Sequence, residues 1–158
     1  MAIATVNPAD NTTVEEFDEF TDQQIDAAVA AADAAYPTWR DTKKSERAAI
    51  LARAAQLMTD RADELAPLLT TEMGKLIGES RGEVALAGAI LQYYADNGEA
   101  MTADESIEVA DGSAIVRTAP LGALLGVMPW NFPLYQVVRF CIRSCASRPP
   151  ISCSAIPC

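Results

Sequence analysis

Hydrophobic positions recur at helical spacing between residues 21 and 98 and predict four helices. The first begins at the capping-box sequence Thr21-Asp22-Gln23-Gln24 and is expected to end at Pro37. The other three are expected to start near Thr42 or Ser45, to span residues 60–73 and to span residues 79–98. The side chains expected to face a core are Ile25, Ala28, Val29, Ala32, Tyr36, Ile50, Leu51, Ala54, Leu57, Met58, Val84, Ala87, Leu91 and Tyr94.

Single residues refine these helices. Pro67 must lie in the first turn of the third helix or kink it, and Gly74 supplies the expected C-terminal stop. Lys75 follows that stop and has two open interpretations: its positive charge compensates the negative end of the helix dipole, or it binds a phosphate or carboxylate. The second helix is expected to turn a basic face to solvent, consisting of Arg47, Arg53 and Arg61.

The spacing of hydrophobic residues changes after residue 101 from the helical period to strict alternation with polar residues. Ile107 and Val109 lie on one side of a predicted strand, Asp111-Gly112 is a two-residue hairpin signal, and residues 114–118 form the returning strand. A lone hairpin is marginally stable in water, so this one is expected to pair with another sheet or another subunit.

Residues 121–128 form a continuous apolar run of strand length, which predicts a strand buried on both faces. Gly122 and Gly126 do not form a dinucleotide fingerprint and are expected to permit close packing instead. At the other end of the chain, residues 1–20 predict an extended arm with a solvated acidic face.

The run Pro129-Trp130-Asn131-Phe132-Pro133 is better explained by chemistry than by folding alone. Its two prolines restrict the backbone and hold Asn131 on a rigid turn after the predicted strand. An amide in a fixed direction offers two N–H donors, which is what a site needs to hold a developing oxyanion. The alternative is a proline-rich loop with a core Trp and a turn-forming Asn.

Composition limits the classes of function. A chain of 158 residues is expected to form one domain, and its net charge of −10 argues against nucleic acid or an anionic membrane as partner. All 22 acidic residues lie at or before Asp111, which predicts a solvated helical layer up to that point. No run of residues is long and apolar enough for a membrane helix.

Cysteines are confined to the last 18 residues: Cys141, Cys145, Cys153 and Cys158. Their spacing, in a chain without histidine, fits no common zinc pattern, so no metal site is expected. Together with the absence of a secretory signal, this usage favours a reducing, cytoplasmic setting.

Several motifs together carry a resemblance to a known family. Their order in the chain resembles that in the NAD(P)-dependent aldehyde dehydrogenases: Asn7-Pro8, the Ala-rich helix ending near Trp39-Arg40, Glu72-Met73-Gly74-Lys75, Pro120-Leu121-Gly122 and the run from Gly126 to Pro133. The resemblance implies an α/β fold: the N-terminal helical part of the cofactor-binding domain, a hairpin of the oligomerisation domain at about 105–118, and the first buried strand of an incomplete Rossmann-like sheet. It also implies a homo-oligomer in the intact form.

The resemblance assigns roles to four consecutive residues. Met128, Pro129, Trp130 and Asn131 would contact NAD or NADP, and Asn131 would be the catalytic oxyanion donor. In the family, a cysteine attacks an aldehyde, the thiohemiacetal oxyanion is held by the Asn amide, and hydride passes to the nicotinamide. We assign no nucleophile or general base in this chain. The sequence texture after Glu72 and Asn131 is similar to that of the succinate-semialdehyde dehydrogenases, so succinate semialdehyde is the expected substrate.

The resemblance runs from about residue 6 to residue 140. Residues 141–158 are expected to be a disordered, frame-shifted tail outside the family, and the fragment alone is expected to be inactive. A non-catalytic oligomerisation or interaction module derived from the same family is the alternative function.

Overall fold

The computed structural model describes residues 3–147 and begins with an antiparallel hairpin. Strand β1 (Ile3–Val6) pairs with β2 (Thr13–Phe17), with Ile3 opposite Phe17. The prediction of an extended arm was therefore wrong. Side chains in the connection stabilise its turn, because the Ala9 N–H donates to Asn7 Oδ1 at 3.0 Å and two donors of Thr12 bind Asp10 Oδ1.

Four helices follow, as predicted: α1 (Asp22–Asp41), α2 (Lys44–Asp60), α3 (Ala62–Met73) and α4 (Ile77–Met101). The capping box at the start of α1 is confirmed, since Thr21 and Gln24 exchange backbone and side-chain hydrogen bonds. Pro37 does not end α1, contrary to the prediction. It removes one hydrogen bond to the carbonyl of Asp33, but both residues are exposed and water can satisfy that carbonyl.

The hydrophobic core lies around α4. One cluster joins α2 and α4 to a last helix, α5 (Pro133–Ser147), through Leu51, Ala55, Ala87, Leu91, Val138 and Ile142. A second cluster joins α3 to α4 through Ala66, Leu69 and Val84. Gly88 permits the close approach of α2, because a Cβ there would lie 3.3 Å from Cβ of Met58. The helical layer that the periodicity predicts is thus confirmed.

Two predicted helix faces differ from the structure. The inward face of α2 carries Arg47, Leu51 and Ala55, so Arg47 is buried at 2% exposure where an exposed residue was predicted, and Ile50 is exposed. These three residues are four positions apart and therefore lie on one stripe of the helix. That stripe is rotated by about one residue from the predicted face. Helix α1 has no buried residue, although its apolar stripe was predicted to face a core. The Tyr36 hydroxyl of α1 donates a long hydrogen bond of 3.5 Å to the Pro120 carbonyl.

The second hairpin forms close to the predicted position. Strand β3 (Glu105–Ile107) pairs with β4 (Ala114–Val116), with Ile107 opposite Ala114. This register leaves residues 108–113 as a six-residue connection, so the predicted two-residue turn at Asp111-Gly112 was wrong. Gly112, at φ +85°, takes the left-handed conformation inside that longer loop. Both strands are largely exposed.

The predicted buried strand at residues 121–128 is not formed in the described part of the chain. Its side chains alternate: Leu121, Leu125 and Val127 are 86%, 81% and 78% exposed, whereas Leu124 and Met128 are half-buried. A strand requires a neighbour for its backbone hydrogen bonds, and residues 3–147 offer none beside this run. The described residues form a partial α/β domain: most of them are helical, and each of the two sheets has two strands.

Helix α5 continues to Ser147, so residues 141–147 are helical where a disordered tail was predicted to begin. The rest of that predicted tail, residues 148–158, lies outside the described residues. Within the described part of the chain, none of the helices has the length and apolar character needed to cross a membrane.

Candidate active site

The Pro-Trp-Asn-Phe-Pro run forms the turn that leads into α5. Trp130 and Asn131 lie in the turn, and the Phe132 carbonyl accepts the N–H of Gln136 at 2.9 Å. Phe132 is therefore the N-cap of α5, and Pro133 occupies the first helical position, where its missing N–H costs nothing. The second proline thus starts a helix, and the predicted turn before it is present.

The four residues predicted to contact cofactor lie side by side on this turn. Met128 is half-buried, and Pro129 and Asn131 are exposed. Trp130 is 38% exposed, and its indole Nε1–H points to the carbonyl of Glu72 with a long contact of 3.5 Å. The structure therefore presents the Asn131 amide and part of an aromatic ring on one accessible surface.

Glu83 on α4 caps the start of α5. Its Oε1 accepts the backbone N–H groups of Leu134 at 2.9 Å and Tyr135 at 3.0 Å. A Phe at the N-cap has no side-chain acceptor, so these donors would otherwise be buried without a partner. A carboxylate from a helix 51 residues earlier in the chain takes that place.

Lys75 forms a buried ion pair with the same carboxylate. Its Nζ lies 2.5 Å from Glu83 Oε2, and the two side chains are 8% and 1% exposed. The ammonium also lies 4.2 Å from the centroid of the Phe132 ring, which is cation–π distance. Neither interpretation of Lys75 anticipated this partner, because the carboxylate belongs to Glu83 of the same chain.

Three of the motifs that carry the family resemblance meet at this place. The hydroxyl of Thr5 donates to Glu72 Oε2 at 3.1 Å, and the ring of Pro8 lies against Gly74. Gly74 ends α3 in the left-handed conformation at φ +74°, which turns the chain so that Lys75 points inward. The N-terminal hairpin, the end of α3 and the Asn131 turn therefore form one contiguous structure.

Comparison with known proteins identifies the family. A model of the aldehyde dehydrogenase family matches residues 1–146. The chain belongs to the aldehyde dehydrogenase family. The match extends beyond residue 140, where the resemblance read from the sequence was expected to stop, and agrees with the continuation of α5.

Its relatives include the succinate-semialdehyde dehydrogenase [NADP(+)] of Deinococcus radiodurans, 53% identical over 137 residues that cover 87% of this chain and 29% of that protein. The succinate-semialdehyde dehydrogenase [NADP(+)] 1 of Mycobacterium tuberculosis is 42% identical over 143 residues, covering 89% of this chain and 31% of that protein. The similarity to the succinate-semialdehyde subgroup is thereby confirmed.

Solved structures show the same relationship. The Streptococcus pyogenes succinic semialdehyde dehydrogenase in complex with NADP+ has a TM-score of 0.91 and 33% identity, with 95% of this chain and 33% of that chain covered. For the Burkholderia pseudomallei succinate-semialdehyde dehydrogenase the TM-score is 0.87, with 31% identity and coverage of 96% and 32%. This aldehyde dehydrogenase chain thus spans about a third of the length of the relatives that it matches.

Sequence reasoning missed Glu83 as a site residue. A signal was present, because Ser80, Glu83 and Ala87 follow one another at helical spacing on the buried side of α4. An acid on a buried stripe requires hydrogen bonds or a counter-charge.

Among residues 3–147, no group of three or more His, Cys, Asp or Glu side chains could hold a metal ion.

Proposed function

We propose that this chain forms the N-terminal part of an enzyme that oxidises succinate semialdehyde to succinate with NADP+. The observation that carries the proposal is the accessible Asn131 turn, held at the start of α5 by a buried carboxylate. It is supported by relatives whose names specify succinate semialdehyde and NADP(+), and the proposal extends to the whole protein what the chain itself covers in part.

Asn131 is proposed to bind the oxygen of the substrate carbonyl as it gains negative charge. A side-chain amide is a neutral donor, so it stabilises the anion without titrating in the working pH range. Such a donor is effective when its direction is fixed before the reaction, because no reorganisation is then needed as charge develops. The turn supports the proposal, because its backbone is restrained by Pro129 and Pro133 and Asn131 is exposed.

The neighbouring residues fit the uncharged part of a nicotinamide cofactor. Met128, Pro129 and Trp130 present apolar and aromatic surface beside the amide, and Trp130 is partly exposed. Cofactor sites combine such surfaces with a few polar groups that set orientation. When bound there, NADP+ supplies the acceptor for the hydride. The nucleophile is not assigned to any residue of this chain, and we propose that it lies in the part of the enzyme that the relatives have and this chain does not span.

The experiment requires the missing part, which the Deinococcus radiodurans relative can supply. In a chimera, residues 1–140 of this chain replace the corresponding residues of that relative. We expect the chimera to oxidise succinate semialdehyde with NADP+ at a rate within about tenfold of the relative. A chimera that folds and binds NADP+ but does not oxidise the aldehyde would contradict the proposal.

A second function, oligomerisation, is favoured by one observation. The β3–β4 hairpin places Ile107, Ala114 and Val116 on one face, and Ile107 and Val116 are exposed. We propose that this face contacts a second subunit in the intact enzyme. In the chimera, Val116→Lys should shift the oligomer towards monomer in sedimentation, whereas Ser106→Lys on the opposite face should not; identical profiles for both would end this proposal.

A further inference from the structure

The turn that carries Asn131 is held from both sides by groups that come from elsewhere in the chain. On one side, the Trp130 ring reaches the Glu72 carbonyl at 3.5 Å. On the other, Phe132 lies under the Lys75 ammonium, and the first N–H groups of α5 bind Glu83. Asn131 itself remains exposed between these anchors. The backbone on each side is therefore fixed while the amide stays open to solvent.

The pair of Lys75 and Glu83 is a poor device for stability alone. Burying an ion pair removes two charges from water, and apolar residues of similar volume often give equal or greater stability. Its geometry instead fixes the orientation of the Glu83 side chain. One carboxylate oxygen binds Lys75 at 2.5 Å, and the other accepts two consecutive N–H groups at 2.9 and 3.0 Å, which leaves Glu83 one orientation.

Lys75 is directed by the backbone that precedes it. Gly74 at φ +74° ends α3 and packs against Pro8, so the residue after it enters the interior next to α4. Its ammonium then has two partners, the Glu83 carboxylate and the Phe132 ring. A movement of the end of α3 would be transmitted through Lys75 to the residue next to Asn131.

We propose that Lys75 and Glu83 are positioning residues that set the direction of the Asn131 amide. They act through the Phe132 ring and the start of α5 and do not contact substrate or cofactor. This inference rests on the proposed function for the role of Asn131, but the clamp itself can be tested without turnover.

The first test uses the fluorescence of Trp130 in the 158-residue chain at low concentration. The chain has two tryptophans, so Trp39→Phe leaves Trp130 as the only emitter. In this background we compare Lys75→Met, Glu83→Gln and a control, Arg81→Met. Glu83→Gln keeps an oxygen for the α5 N–H groups and loses the charge that holds Lys75. Arg81, on the same helix as Glu83, forms an exposed ion pair with Asp63 of α3.

If the pair positions the turn, Lys75→Met and Glu83→Gln shift the Trp130 emission to longer wavelength and raise its acrylamide quenching constant about twofold. Helix content by circular dichroism stays near that of the parent, and Arg81→Met matches the parent in all three measurements. Variants that keep their helices and also keep the parental Trp130 signal would overturn the inference.

A double variant covers the case in which a single change unfolds the chain. Lys75→Met with Glu83→Gln removes both charges together, keeps the volume of the side chains and keeps an oxygen for the α5 N–H groups, so the helices should form. A purely structural pair predicts a parental Trp130 signal in the folded double variant. The positioning role predicts the shifted emission and raised quenching there too.

The second test separates this inference from the proposed function. In the chimera, Lys75→Met and Glu83→Gln should lower kcat by about tenfold to hundredfold, because a small misplacement of a catalytic group has a large effect on rate. KM for NADP+ should rise by a smaller factor than kcat falls, because Trp130 lies on the same turn. A kcat equal to that of the parent chimera would overturn the inference. An inactive parent chimera would end the proposed function instead, and the Trp130 result would then decide the positioning role by itself.

Discussion

Pro8 packs against Gly74 so closely that a Cβ atom at residue 74 would lie 2.8 Å from Cγ of Pro8. This contact joins the N-terminal hairpin to the end of α3, although 66 residues of sequence separate the two. Gly74 is needed there for two reasons at once, the space and the positive φ of +74°. The contact also holds the backbone from which Lys75 enters the interior.

Gly74→Ala should therefore destabilise the chain, whereas Gly82→Ala should stabilise it. The left-handed conformation alone costs an L-residue about 1–2 kcal/mol, and the overlap with Pro8 adds to that. Gly82 lies exposed inside α4 with no atom within 4 Å of an added Cβ, so alanine there should add about 0.5–1 kcal/mol of stability. Urea melts of both variants in dilute solution check the opposite signs; a Gly74→Ala variant as stable as the parent would contradict both the backbone strain and the Pro8 overlap.

Asn131→Ala in the chimera should lower kcat by about 10²–10³, the typical loss for one oxyanion donor. Affinity for NADP+ should change little, because the proposed cofactor contacts are made by the three residues before it. Single-turnover kinetics and a fluorescence titration with NADP+ measure the two quantities separately.

The matched control for that variant is Asn97→Ala. Asn97 donates its side-chain amide to the Tyr93 carbonyl on α4, away from the turn. It should leave kcat unchanged. If Asn131 only shapes the turn, Asn131→Ala should instead cost about 1 kcal/mol of stability and keep the rate per folded molecule. A near-normal rate on a destabilised protein would end the catalytic assignment.

The 158-residue chain alone should not oxidise succinate semialdehyde. It spans about a third of its relatives, and no residue in it is assigned as nucleophile or general base. Absorbance at the wavelength of NADPH, followed with the purified chain, aldehyde and NADP+, measures this directly. Turnover clearly above the buffer rate would mean that the chain contains a nucleophile that its sequence does not reveal.

The isolated chain should also self-associate as its concentration rises. Leu121, Leu125 and Val127 present apolar side chains on an extended segment whose backbone groups have no strand partner among residues 3–147. Size exclusion over a range of concentrations should show growing oligomers, and Leu125→Lys should reduce them. Leu86→Lys, an exposed position on α4, serves as the control. A single monomer peak at all concentrations would contradict the prediction.

Local signals in the sequence were sufficient where the residues concerned act on their own segment. The capping box at Thr21 and the stop at Gly74 formed as predicted, since each depends on backbone groups a few residues away. Predictions failed where a partner from far along the chain decides the outcome. The run at 121–128 has strand composition but no neighbouring strand in the described residues, and the α1 stripe likewise has no covering surface there.

The candidate site follows the same rule. Asn131 and its two prolines could be found in sequence, because rigid turns have local signals. Their support could not, since Lys75 lies in the connection between α3 and α4, and Glu83 on α4 reaches the start of α5 across 51 residues of sequence. Arg47 shows the limit of charge as a guide: an arginine was predicted to be exposed, yet its position on α2 buries it.

The order of the helices has a consequence for synthesis on the ribosome. Helices α2, α3 and α4 are consecutive and joined by short connections, and they share most of the core. Contacts between neighbours in sequence form quickly because little loop entropy opposes them. This layer can therefore assemble while the C-terminal part is still being made. Pro8 and the Asn131 turn can then pack against it independently of each other. The apolar segment at 121–127 emerges next, and its backbone has no strand partner among residues 3–147. While it is exposed during synthesis, such a segment is a natural target for chaperones.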